Sequence, residues 1–81
     1  MSMKLPRYDY YQGAKPLGDL WTLKRGALVM RCALSTHSLG WELRLRAGSA
    51  FSRVQVCKAE VDVHSMADAW KTEALSKGWS E

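Results

Sequence analysis

From Trp41 to Lys58 the chain reads WELRLRAGSAFSRVQVCK, two runs of alternating apolar and polar residues on either side of Gly48-Ser49. Alternation with period two marks a strand with one buried face, and a two-residue turn containing glycine joins two such strands into a hairpin. With Gly48-Ser49 as the loop, Ala47 faces Ala50, Leu45 faces Ser52, Leu43 faces Val54 and Trp41 faces Val56. The other side pairs Arg46 with Phe51, Arg44 with Arg53 and Glu42 with Gln55, and Cys57 points outward. This register keeps the apolar set together, whereas a slip of one residue sends every side chain to the opposite face.

The same alternation runs upstream. Asp19 to Lys24 and Ala27 to Ser35 read as two further strands joined at Arg25-Gly26, so that Leu23 faces Leu28 and Trp21 faces Met30, with Cys32 and Leu34 continuing the apolar face. The connection Thr36 to Leu39 must hold an even number of residues to keep Leu34 and Trp41 on one face. Leu34 then faces Trp41, Cys32 faces Leu43, and Arg31 faces Arg44.

After Lys58 the period lengthens. Val63, Met66, Ala67, Trp70 and Ala74 recur at steps of three and four, one stripe of an amphipathic helix. Its start is either Asp62 or Ser65, the latter with Asp68 as a capping box. Its end is marked by Gly78 after Lys77, with Trp79 folding back as the apolar partner of a Schellman-type cap. The expected fold is α+β: an antiparallel β-meander of three or four strands followed by one C-terminal helix. The helix packs on the face carrying Trp21, Leu23, Leu28, Met30, Leu43, Leu45, Val54 and Val56.

Residues 1–17, with two prolines, a glycine and no sustained period, read as a flexible N-terminal arm in which Tyr8, Tyr10 and Tyr11 sit beside Lys4, Arg7 and Lys15. Residues 18–81 form a single small domain. A chain of 81 residues buries only about 60 to 65% of its unfolded surface. Self-association is a common remedy for so thin a core.

Charge divides unevenly. Residues 1–58 hold ten Lys and Arg against three acids, and residues 59–81 hold two against five. The sheet is therefore basic and the helix acidic, which suits an anionic partner for the sheet or mutual attraction of the two parts. No run approaches the length of a membrane span and the N-terminus lacks the apolar core of a signal peptide, so a cytoplasmic protein without a membrane partner is expected. Cys32 and Cys57 form no CxxC and fall on strands too far apart for a bridge, which predicts free thiols.

Neither a phosphate-binding glycine loop, nor GxSxG, nor HExxH occurs. His37 and His64 lie near serines in separate connections, and they do not converge with Cys32 and Cys57 into a four-ligand zinc site. No cofactor or enzymatic activity is expected. Trp21, Trp41, Trp70 and Trp79 all fall at core or cap positions, where large aromatics supply the buried area a thin core needs.

The outer face of the sheet is the unusual feature. In the registers above, Leu20, Arg31, Arg44 and Arg53 make one row across four strands, with Arg46 beside Phe51. Like charges opposite one another are unfavourable on a sheet, so the row asks for a reason. Three readings compete: a solvated face, a dimer or partner interface using Val29, Ala33, Phe51 and the arginines, and a single-stranded nucleic-acid surface with Phe51 as a stacking platform. Arg31, Arg44, Arg46, Phe51 and Arg53 are the candidate binding residues of a small non-catalytic interaction module, with self-association or nucleic acid as its partner.

The segments QVC from Gln55, AWK from Ala69 and KGW from Lys77 resemble the tails of short bacterial proteins of uncharacterised function. The resemblance covers about the last third of the chain. It implies a bacterial source and no activity.

Overall fold

The computed structural model describes residues 15–48 and 50–81, with the backbone alone for residues 50–52. Four strands, β1 (Pro16–Arg25), β2 (Leu28–His37), β3 (Gly40–Ala47) and β4 (Ala50–Cys57), form one antiparallel sheet in sequence order, followed by the helix α1 (Glu60–Ser76). The expected α+β meander with a C-terminal helix is the observed fold. Pro16 and Leu17 belong to β1 rather than to an arm. The expectation for residues 1–14 lies outside the described residues.

The helix lies on β3 and β4. Leu23, Met30, Cys32, Leu43 and Leu45 from the sheet are buried against Val63, Ala67, Trp70, Ala74 and the returning Trp79. Trp21 packs on this core from β1 and donates its indole N–H to the Ala67 carbonyl at 3.0 Å. The helix end is the expected cap. Gly78, at φ +96°, allows Trp79 N–H to reach Ala74 O at 3.2 Å and Gly78 N–H to reach Leu75 O at 3.3 Å. Beyond it the chain crosses to β1, where Ser80 exchanges backbone hydrogen bonds of 2.7 and 2.8 Å with Lys24. At the other end the N-cap is Ala59, with Glu60 and Asp62 inside the first turn, so neither Asp62 nor Ser65 caps the helix.

Each strand pairing departs from its expected register, the first two at their turns and the third at a bulge within β4. The β1–β2 loop is Gly26-Ala27, with Gly26 at φ +61°, and Arg25 pairs with Leu28, Leu23 with Met30 and Trp21 with Cys32. The β2–β3 loop is Ser38-Leu39, so Leu34 faces Leu43, Cys32 faces Leu45 and Thr36 faces Trp41. Both shifts are even in effect, which preserves the faces. Leu28, however, is carried to the sheet end and is 46% exposed. The third pairing changes sides. Ala47 faces Ala50 and Arg46 faces Phe51 as expected, but a bulge at Ser52 then sets Leu45 opposite Arg53, Leu43 opposite Gln55 and Trp41 opposite Cys57. One extra residue in a strand reverses every side chain beyond it. Cys57 is therefore buried at 4% exposure instead of pointing outward, while Val54 and Val56 leave the helix side.

Candidate interaction face of the sheet

The rows across the outer face follow from these registers. One runs Asp19–Ala33–Arg44–Val54 and the next Thr22–Arg31–Arg46–Phe51, with Ser35–Glu42–Val56 on the far side of the first. The expected row of Leu20, Arg31, Arg44 and Arg53 does not form. Arg31 lies opposite Arg46 rather than Arg44, and Leu20 falls in a β1 irregularity between Asp19 and Trp21.

Of the five candidate residues, Arg31, Arg44 and Arg46 share the outer face and Phe51 holds the register position beside Arg46; its side chain lies outside the described ones. Arg53 does not belong to the site. Beyond the bulge it points to the helix, where Nη1 and Nη2 donate to the two carboxylate oxygens of Glu73 at 2.9 and 3.0 Å. Its guanidinium lies 5.7 Å from the ring centroid of Trp70. Lys77 joins the same carboxylate at 3.1 Å. The hydrogen bond from Arg53, then that from Lys77, holds the Glu73 carboxyl at about 2, well below its ordinary range, and the same bond raises the Arg53 pKa. Arg53 thus serves the fold.

The remaining arginines are partly neutralised. Arg31 reaches Asp19 across the β1–β2 pair at 3.1 Å, and Arg44 reaches Glu42 along its own strand at 2.6 Å. Arg46 has no ion pair among the described residues, and Lys24 adds a second cation at the corner of the face. Between these charges lie apolar groups: Val29 and Ala33 on β2, Val56 on β4, and Val54, 41% exposed. The valines of β4 were missed in the sequence because strict alternation puts them with Leu43 and Trp41. The available signal was Ser52, a polar residue that strict alternation places opposite the inward Leu45.

Chemistry elsewhere is sparse. His37 Nδ1 accepts the Leu39 N–H at 3.1 Å within its turn, and His64 sits on α1 with Nε2 3.8 Å from Glu60. Cys32 and Cys57 are free thiols. Burial, with a smaller push from the Asp19 charge, raises the Cys32 thiol to about 12, and burial likewise raises Cys57. Among the described residues no three His, Cys, Asp or Glu side chains converge on a point that could hold a metal ion. No helix among them is long and apolar enough to cross a membrane. Comparison with protein-family models, with curated proteins and with solved structures finds no match.

Proposed function

We propose that this chain is a non-catalytic interaction module of the cytoplasm that associates with a second copy of itself through the outer face of its sheet. The observation that carries this reading is the bulge at Ser52, which takes Val54 and Val56 away from the helix and sets them beside Ala33 and the Arg44–Glu42 pair. Burying a valine contributes roughly 1.5–3 kcal/mol. A fold that turns Val54 and the half-buried Val56 onto a face that no described element covers regains part of that contribution when the face is covered. The mixture is also self-complementary. Arg31–Asp19 and Arg44–Glu42 present both signs, and an isologous interface requires a patch to match itself about a two-fold axis. Apolar centres with arginine at the margin are typical of such interfaces.

Nucleic acid is the competing reading, and its support has thinned. Arg53 is engaged with Glu73, and two of the three remaining arginines hold carboxylates. Sedimentation of the full chain over a concentration series tests the choice. Association that is lost in Ala33→Asp, at the centre of the face, is the expected result. A monomer that instead binds short DNA or RNA, with a salt slope of ~0.7 per phosphate contact that falls in Arg46→Ala, replaces this reading with the nucleic-acid one.

A further inference from the structure

Between the end of α1 and the sheet, beside the Arg53–Glu73 pair, lies a cavity of about 140 Å³. Much of its lining is apolar and buried: Met30 and Leu45 from the sheet, Trp70 and Ala74 from the helix, and Trp79 beyond the cap. A cavity of roughly 150 Å³ with apolar walls is large enough to hold benzene. The rest of the lining is Arg53, Glu73 and Lys77, whose side chains are 42, 40 and 64% exposed and make the solvent end. The cavity therefore has one apolar end and one charged end.

The charged end has an excess of cations. Glu73 is the one acid among the described residues of the lining, and Arg53 and Lys77 share it. Arg25 stands alongside as a third cation, 4.8 Å from the ring centroid of Trp79. It also donates to the Lys77 carbonyl at 3.2 Å, which covers a helix end whose partial negative charge would repel an anion. Glu81 is engaged elsewhere, with Lys71 at 3.0 Å. A cationic ligand is disfavoured, because Arg25 and Arg53 already stand over Trp79 and Trp70, where the rings would hold it. We propose that this cavity binds a small monocarboxylate. Its apolar body fills the buried end, and its carboxylate takes Lys77 and Arg53 while the half-exposed Glu73 turns to solvent. The two parallel hydrogen bonds that Arg53 gives Glu73 are the ones it offers the ligand. This site lies on the helix side of the sheet and does not depend on association through the outer face.

The probe is benzoate, titrated into the full chain and read at the indole N–H resonances, with benzylamine and benzyl alcohol as cationic and neutral analogues of similar size. Benzoate is expected to shift the Trp70 and Trp79 signals saturably, benzyl alcohol to bind more weakly and benzylamine not to bind. Lys77→Met, at an exposed position, is expected to weaken benzoate about tenfold, the loss that goes with one charge-assisted hydrogen bond. Glu73→Gln removes the competing charge and is expected to tighten benzoate, which a merely structural role for the Arg53–Glu73 pair does not predict. The absence of a saturable shift with benzoate overturns the proposal. So does benzyl alcohol binding as tightly as benzoate with no effect of Lys77→Met, which leaves an apolar cavity that does not recognise an anion. A preference for benzylamine overturns it as well.

Discussion

Arg53 holds both carboxylate oxygens of Glu73, 20 residues further along the chain, and this pair ties the last strand to the helix at the point where the strand has changed sides. Trp70 lies under the guanidinium and Lys77 completes the network. A bidentate arginine–carboxylate pair fixes orientation as well as distance. It therefore favours the bulged register, in which Arg53 faces α1, over the in-step one, in which it faces water.

Acid should loosen this attachment. The Glu73 pKa is lowered in the fold from 4.5 to about 2, so its contribution is present above the unfolded value and disappears as pH falls through the folded one. Urea unfolding is expected to show stability declining between pH 4.5 and 2. In Glu73→Gln that decline is shallower, and a variant as acid-sensitive as the natural chain would refute the assignment.

Thiol reactivity reports the register directly. With Cys32 and Cys57 both buried, neither is expected to react with a disulfide reagent at a rate above that of transient opening, and both react promptly in denaturant. The in-step register puts Cys57 outside, where one thiol per chain reacts at once in the native protein.

Gly40 opens β3 at φ +141°, and a Cβ there would collide with the Cys57 carbonyl oxygen on the neighbouring strand. Gly40→Ala is expected to destabilise by about 1–3 kcal/mol from the backbone conformation alone, with the collision adding to it. Gly26→Ala has open space around it and meets only the conformational cost. Thermal melts of the two variants should rank them in that order.

Arg31 and Arg46 stand opposite one another on the outer face, and only Arg31 has an acidic partner among the described residues. Reversing the second charge in Arg46→Glu is expected to stabilise the folded monomer by about 0.2–1 kcal/mol through the new cross-strand pair. Chemical denaturation at low salt measures it, and the gain should shrink as salt screens the pair.

Much of this architecture is legible in the residues. Alternation over Trp21 to Leu23, Leu28 to Leu34 and Trp41 to Leu45 identifies three strands and their inner faces, and the three- and four-residue steps from Val63 to Ala74 identify the helix. The Gly78-Trp79 cap is legible for the same reason: period and cap are local, set by which neighbours along the chain share a face. Turn placement is less so. Gly26 and Gly48 mark their loops, yet Gly26 takes the first loop position and Ser38-Leu39 contains no glycine at all.

The side on which Arg53, Val54, Gln55, Val56 and Cys57 lie could not be read from that stretch. The run RVQVC alternates equally well either way, so its pattern fixes a strand but not a direction. The choice rests on groups distant in sequence: Glu73 and Trp70 on the helix receive Arg53, and Trp41 on β3 stands opposite Cys57. One inserted residue, Ser52, reconciles those contacts with the turn at Gly48 and turns two valines outward. A bulge is settled by what lies across the sheet and beneath the helix, and those neighbours exist only once the chain has folded.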